Sequence, residues 1–370
     1  MAIENKLTHY RRTRGFSAAE LAKKIAVSRQ TIYAMETGTY VPNTVVALKL
    51  ARVLDVTVED LFYFETAELP ATVETAELMP SDQDPQSGLP VQLCEVNSRL
   101  IAMLPTPVEW GLPPADAVLL DAGKRSGKAR VQFFNEDKIF QKRIMIAGCD
   151  PGIPVLTRHL QRHGVETVVA YRNSTQSLGL LKQSMVHVAG SHLRDEATGE
   201  SNLPAVRKQF SKGSVAVVSY AFWEEGIVIA HGNPKNIRGI EDLARKDVTI
   251  VNRESGSGIR RMLDSHLQKK GIPSQKIKGY ETVAPGHLPA AWQVKNGLAD
   301  CCLATKTVAC IFGLDFIPLE RERYDLVIHS QNLNHPGVQI LLDTLGRSAF
   351  RRELEGLGGY DTRIAGDRLL

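Results

Sequence analysis

Apolar positions recur every three or four residues over the first 64 residues, the spacing of helices that bury one face. Leu7, Tyr10 and Arg11 sit on a first helix that Gly15 ends. Ser17-Ala18-Ala19-Glu20 is a capping box that opens a second, with Leu21, Ala22 and Ile25 on its apolar face. Ala26-Val27-Ser28 makes a short turn. Ser28 and Thr31 start a third helix, which sends Ile32 and Met35 inward, leaves Arg29, Gln30, Tyr33 and Ala34 outside and closes at Gly38. Asn43 caps a fourth, with Val46, Leu48, Leu50, Ala51 and Leu54 available for burial, and Val58, Leu61 and Phe62 form a last helical turn.

The pattern then breaks. Glu65-Thr66-Ala67-Glu68-Leu69-Pro70 nearly repeats at Glu74–Pro80, and no Lys or Arg occurs between Phe64 and Arg99. An acidic, Pro-punctuated stretch without basic partners reads as a flexible linker over 65–90. Residues 91–142 read as a small β-rich bridging segment, with strand patterns at Val91–Val96, Ala117–Leu120 and Ala129–Phe134, a packing aromatic at Trp110 and a basic turn at Lys124–Lys128.

From 143 onward short apolar runs alternate with helical spacing: Ile144–Gly148, Val165–Ala170, Val186–Gly190, Val215–Ser219, Gly226–Ala230 and Val248–Val251 are strands. Such alternation argues an α/β fold with a mainly parallel sheet, whose ligands bind at strand C-terminal ends. Three loops meet that rule: Asn173–Ser177, Ser191-His192, and Asn252–Gly258. In the last, Asn252-Arg253-Glu254-Ser255-Gly256-Ser257-Gly258 lies between a strand and a helix that runs to Gly271. A helix N-terminus and its free N–H groups favour an anion, and Arg253, Arg260 and Arg261 add cationic donors. The same loop also suits an ordinary capped turn. It lacks a P-loop lysine and G-x-G-x-x-G spacing, which disfavours nucleotides.

Composition narrows the field. With 370 residues the chain has room for two or three domains. At 43% hydrophobic and 23% charged it is globular, and its net charge of +4 is too mild to imply nucleic acid by itself. The first residues are polar and no apolar run reaches membrane-spanning length, so a cytoplasmic protein without a membrane partner is expected. Five unpatterned cysteines (Cys94, Cys149, Cys301, Cys302, Cys310) fit reduced thiols better than a disulfide framework. No Cys-x-x-Cys or His spacing supports a metal site, even at Cys301-Cys302, and no nucleophile–base spacing or Walker loop supports an enzyme.

Arg11-Arg12-x-x-Gly15, Leu21-Ala22, Val27–Ile32, Glu36-x-Gly38, Pro42, Lys49-x-Ala51 and Asp60-Leu61-Phe62 resemble the helix-turn-helix of lambda-type repressors and Xre-like regulators, over 1–64. The resemblance implies an all-α domain whose third helix enters the major groove of operator DNA. Arg29 and Gln30 would then touch base edges, with Tyr33 a further candidate. Ser17, Lys23 and Thr31 would hold phosphate, Ser28 starts the reading helix, and a homodimer or higher homo-oligomer is expected.

Ala189–Leu193, Thr198-Gly199-Glu200-x-Asn202, Gly232-Asn233-Pro234, Glu241–Ala244, Val251–Gly258, Gly279-Tyr280, Leu314-Asp315-Phe316-x-Pro318-Leu319, Glu322-x-Tyr324-Asp325-Leu326 and Gly358–Asp361 resemble, in order, the periplasmic-binding-protein-like domain of bacterial and archaeal regulators. Relatives of that group include molybdate-binding proteins. The resemblance implies a two-lobed α/β domain over 143–370, lobe one at 143–219 and 307–370, lobe two at 220–306, with ligand between them. This chain departs from the pattern at Asn173–Ser177, where a Gly-Ser pair is expected, and at Pro285-Gly286-His287, where Thr tends to precede the His. The ligand set is then Asn173, Ser174, Thr175, Ser191, His192, Asn252, Arg253, Ser255, Gly256, Ser257 and Gly258. No cofactor is implied. The donor chemistry favours a small oxyanion, molybdate or tungstate, as effector; a small organic anion against Trp223 and Trp292 is the alternative. His192 and His287 either line the cleft or are structural, and Tyr220, Trp223 and Glu225 at the first crossover either gate closure or pack. The expected function is a one-component transcription regulator. A DNA-linked protein of molybdenum-cofactor synthesis and a DNA binder with a vestigial ligand domain are the other readings.

Overall fold

The computed structural model describes residues 3–64, 72–81, 83–105, 114–123, 127–135, 143–195 and 198–370. Trp110, Lys124-Arg125-Ser126 and the first acidic hexamer lie outside the described residues. The chain divides into two compact units, Met1–Thr72 and Val73–Leu370.

In the first unit, helices α1 (Leu7–Thr13), α2 (Ala18–Ile25), α3 (Arg29–Glu36), α4 (Thr44–Leu54) and α5 (Val58–Leu61) pack on one core of Leu7, Leu21, Ile25, Ile32, Met35, Leu50, Leu54 and Leu61. The local signals act where the sequence puts them. Ser17 accepts from the Glu20 N–H while the Glu20 carboxylate accepts from the Ser17 N–H; Ser28 and Asn43 cap α3 and α4. Leu48 differs from expectation. It stands exposed on the outer face of α4 near Val45, because Ala47, Leu50, Ala51 and Leu54 fill the inner stripe. Phe62 also leaves the helix and begins β2 (Phe62–Phe64), which pairs antiparallel with β1 (Ile3–Asn5).

The second unit opens with a closed barrel of β3 (Val73–Leu78), β4 (Pro90–Val96), β5 (Arg99–Met103), β6 (Ala117–Ala122) and β7 (Lys128–Phe133), in the order β3-β5-β4-β6-β7. The linker expectation over 65–90 therefore fails at 73–78. Its premise was that the acidic residues lack basic partners, and the fold supplies them from afar. Glu77 pairs with Arg99 and stands opposite Lys128 in the β3–β7 register. Hydrogen bonding to Arg99 holds the Glu77 carboxyl below its ordinary range. The barrel thus begins well before residue 91.

After it come β8 (Ile144–Gly148), α6 (Ile153–Gln161), β9 (Thr167–Tyr171), α7 (Ser174–Lys182), β10 (Val188–Ser191), α8 (Leu203–Gln209), β11 (Val215–Ile229), β12 (Ile250–Arg253), α9 (Gly258–Lys269), β13 (Val283–Ala284), α10 (His287–Lys295), β14 (Cys301–Thr305), α11 (Lys306–Phe312), β15 (Asp315–His329), α12 (Pro336–Gly346), α13 (Ser348–Gly356) and β16 (Tyr360–Asp361). The strands form one sheet ordered β13-β12-β14-β11-β15-β10-β8-β9. β8, β9 and β10 pair in parallel, as do β12, β13 and β14, but β11 and β15 run antiparallel to their neighbours, so the sheet is mixed rather than mainly parallel.

These two 15-residue strands are the crossovers. The sequence splits β11 at Val215–Ser219 and Gly226–Ala230, because Trp223, Glu224 and Glu225 interrupt the apolar run; the backbone continues through them. The outer ends of β11 and β15 belong to separate cores. Ile144, Val188, Val218, Leu326 and Phe350 pack with α6, α12 and α13, and Met145, Ala189, Val217 and Val327 pack beneath α7 and against Val96, Ile101 and Met103 of the barrel. Ile227, Ile250, Leu263 and Leu303 form the other lobe's core with α9. Val308 and Ala309 of α11 pack there too, with Val228, Val251 and Val294. So the return to lobe one runs through the middle of β15, not at 307 as the sequence suggests.

Candidate functional site

Strand alternation decides what the crossovers present. Ala221, Trp223 and Glu225 share one face of β11. Across the ladder Tyr324 stands opposite Ala221, Glu322 opposite Trp223, and Thr305 of β14 opposite Glu225. On this floor sits His192, which follows directly from the C-terminal end of β10. Its Nδ1 is 3.1 Å from Glu322 Oε2 and 3.3 Å from Glu225 Oε1, and all three side chains are buried. The ring meets Trp223 edge-on at 4.9 Å between centroids and lies 5.9 Å from His287, the first residue of α10. Cys149, after β8, completes the cluster: one ligand-type atom each of Cys149, His192 and His287 lie within 4.8 Å of one another, as do those of His192, Glu225 and Glu322.

The electrostatics follow from burial and neighbours. Burial alone would lower the His192 pKa, but Cys149, Glu225 and Glu322 hold it well above its ordinary value. Burial and then Glu322 push Glu225 well up, which favours a neutral acid. Burial, with Arg253 and His192 adding to it, keeps His287 well below its ordinary value. Asp150 beside Cys149 is raised to about 6 by burial, against hydrogen bonds from Tyr360 and the Gly152 N–H.

Several buried polar atoms around this point have no hydrogen-bond partner: His192 Nε2, both ring nitrogens of His287, Trp223 Nε1, Arg253 Nη1 and Thr305 Oγ1. Leaving such groups unpaired costs about 1–3 kcal/mol apiece, and these gather where the two lobes meet.

The three predicted loops converge here, though most of their side chains face their own chain. Ser174 Oγ accepts from the His192 N–H, Ser191 Oγ donates to Asn202, and Ser257 caps α9 and donates to the Glu254 carbonyl. Asn252 is taken by the Tyr280 carbonyl and the Arg253 N–H. Asn173 caps α7 and donates at 3.4 Å to the Ser255 carbonyl, and Thr175 donates to the Gly256 carbonyl at 2.9 Å, both across the cleft. Ser255 is exposed, Gly256 makes its turn at φ +90°, and Gly258 abuts His192. Arg253 spends Nε and Nη2 on Glu254, leaving Nη1. Arg260 lies over the Tyr280 ring and Arg261 reaches Thr175 at the rim. Of the ligand set drawn from sequence, Asn173 and Thr175 thus bond across the closed lobes, the hydroxyls of Ser174, Ser191 and Ser257 are taken within their own lobe, and His192 and Arg253 carry unpaired atoms.

Cys149, Thr305 and Glu322 were missed. They lie far apart in sequence; the local signals were the glutamates inside the two long strands, Glu224 and Glu225 in β11 and Glu320 and Glu322 in β15. A thiol, an imidazole and a carboxylate do sit in sequence at Cys149, His192 and Glu322, an arrangement with nucleophile–base–orienter character that sequence spacing could not reveal. Cys301 and Cys302 are simply buried in β14, which pushes the Cys302 thiol up to about 12.

In the N-terminal unit, an open groove is lined by Arg12, Ser17, Arg29, Tyr33 and Thr37. Lys23, Ser28, Arg29, Gln30 and Tyr33 are exposed and Thr31 half-buried. The Ser28 hydroxyl accepts from the Thr31 N–H and bonds the Thr31 hydroxyl at 2.8 Å. Among the described residues no helix is long and apolar enough to cross a membrane.

Residues 8–61 match the helix-turn-helix family model, and residues 157–346 match that of the PBP superfamily domain. The uncharacterized protein YvgK of Bacillus subtilis (strain 168) is 33% identical over 228 residues, 61% of this chain and 73% of the relative. The uncharacterized HTH-type transcriptional regulator MJ0272 of Methanocaldococcus jannaschii is 44% identical over 66 residues, 18% of this chain and all (100%) of the relative. Among solved structures, Peb3 from Campylobacter jejuni aligns with TM-score 0.39 and 16% identity over 59% of this chain and 98% of that one. The chain belongs to the PBP superfamily domain family and is a helix-turn-helix transcription regulator that carries this domain as its ligand-binding part.

Proposed function

We propose that this chain is a one-component regulator of the cytoplasm: its α3 helix binds operator DNA, and a small effector enclosed between the lobes changes that binding. The observation that carries the reading is the set of buried, unpartnered polar atoms where the lobes meet. Trp223 Nε1 and Arg253 Nη1 can only donate, so they favour an oxyanion, and molybdate or tungstate is the effector this reading names. Operator binding would be as a homodimer on a palindromic site. No catalytic step is part of the reading.

The test selects a DNA site from a random pool with the full chain and measures its affinity by fluorescence anisotropy. Molybdate, tungstate, sulfate and phosphate are then titrated in. An allosteric effector should change affinity by roughly 5- to 150-fold. Affinity that is flat for all four anions would end the oxyanion reading, and failure to select any site would end the operator reading.

A further inference from the structure

The donor-only atoms account for part of the cluster. They leave Cys149, both nitrogens of His287 and two buried carboxylates on the opposite account, and these are groups that bind cations. We propose that Cys149, His192 and His287 form a binding site for a soft divalent metal ion of the zinc type, with Glu322 orienting His192.

Three observations carry this. First, the spacing fits one ion. The three ligand atoms lie within 4.8 Å of one another. A tetrahedral ion with bonds of about 2.0–2.3 Å sets its ligands about 3.5 Å apart, so shifts of about 1 Å complete the site. Second, His192 is arranged as metal-binding histidines are. Its Nδ1 faces Glu322 at 3.1 Å and Glu225 at 3.3 Å, while Nε2 is buried without a partner. A carboxylate on one ring nitrogen fixes the tautomer that offers the other to a metal. Third, His287 is buried with both nitrogens unpaired. A nucleophile–base pair would use Cys149 and His192 alone and leave His287 and Glu225 without a role. A cation uses His287 as a ligand. A thiolate with two imidazoles selects zinc, cobalt, nickel or copper over magnesium and calcium.

The site spans the cleft: Cys149 and His192 follow strands of lobe one, while His287 begins a helix of lobe two. A bound ion would hold the lobes shut. The inference rests on reading this cluster between the lobes as a ligand site and adds a second ligand class to it.

The test strips the full chain with a chelator, then titrates zinc and cobalt(II). One zinc per chain is expected, and cobalt should give a thiolate-to-cobalt charge-transfer band. Cys149→Ser should abolish that band, and His287→Gln should weaken zinc binding by at least tenfold with the melting temperature of the metal-free chain unchanged. Glu322→Gln should weaken it about 10- to 100-fold, as loss of an orienting partner does. Cys310→Ser, at an exposed thiol away from the cluster, should bind as the parent does. No stoichiometric zinc in the parent, or a cobalt–thiolate band that survives Cys149→Ser, overturns the site. Zinc bound through these residues with DNA affinity unmoved supports the site and counts against the regulatory reading. Oxyanion-dependent DNA binding by a chain that takes up no zinc or cobalt leaves the regulatory reading standing and overturns the site.

Discussion

A Cβ placed on Gly258 would lie 2.6 Å from both the ring Cε1 and the carbonyl oxygen of His192. Gly258 opens α9 in one lobe and His192 follows β10 in the other, so the closed lobes meet with no room for a methyl group. Gly258→Ala costs the helix nothing, since alanine is the better helix former. Its expected effect is on closure alone. Overpacking of about 1–3 kcal/mol corresponds to a shift of roughly 5- to 150-fold in the closing equilibrium. Small-angle scattering should show a more open C-terminal unit with an unchanged melting temperature; a scattering profile identical to the parent's would show that this contact does not limit closure.

His187 supplies a pH dependence. Its Nδ1 accepts the Met145 N–H at 3.0 Å, and its ring lies 4.8 Å from that of His335. Burial, with His335 adding to it, lowers its pKa from 6.5 to about 3. A histidine held neutral in the folded chain contributes stability that is complete above about pH 6.5 and is lost as pH falls towards the folded value. Between pH 6.5 and 5 the loss is about 2 kcal/mol. His187→Gln keeps an acceptor for Met145 and cannot charge. Urea unfolding followed by tryptophan fluorescence should therefore show a shallower acid loss for the variant; parallel curves would contradict the assignment.

What the sequence made legible was what is local. Ser17 with Glu20, Ser28 with Thr31 and Asn43 with Val46 act within one helical turn, so their spacing alone places α2, α3 and α4. Strand β3 was hidden because only Ala76 of its six residues is fully buried and its partners lie on β5 and β7. The buried cluster between the lobes was hidden for a related reason. Residues 149, 192, 225, 287 and 322 meet only once two 15-residue strands cross between the lobes. The hydroxyls of Ser174, Ser191 and Ser257 were conspicuous in sequence, yet the fold uses each for its own structure: Ser257 bonds the nearby Glu254 carbonyl, Ser174 accepts from the His192 N–H and Ser191 donates to the Asn202 side chain.

Arg11 and Glu36 belong to two motif fragments, Arg11-Arg12 and Glu36-x-Gly38, that the fold joins into one ion pair. Arg11 Nε donates to Glu36 Oε1 at 2.5 Å and Nη2 to Oε2 at 3.2 Å, with side chains 10% and 6% exposed, while Nη1 donates to the Phe16 carbonyl. Removing one member of a buried pair strands the other, at about 3–5 kcal/mol. Glu36→Ala should unfold the N-terminal unit at markedly lower temperature, and the transition of the C-terminal unit should not move. Calorimetry resolves the two; a loss under about 1 kcal/mol would mean that water takes the place of Glu36.

Arg29 lies with its guanidinium 5.3 Å from the Tyr33 ring centre and donates to the Tyr33 hydroxyl at 3.0 Å, one helical turn away. The contact holds a flexible cation at the exposed start of α3, where a base edge would meet it. Arg29→Ala should relax the preference at one base pair per half-site, at about 1–3 kcal/mol. Lys23→Ala, at a position suited to phosphate, should weaken all sequences alike and reduce the salt slope by about 1. Tyr33→Phe keeps the ring and loses only the hydroxyl, so it should leave the selected sequence unchanged. Selection from a random pool, repeated at two salt concentrations for each variant, separates the three outcomes. An Arg29→Ala chain that selects the parent's site with equal stringency would move base reading elsewhere on α3, with Gln30 the next side chain to test.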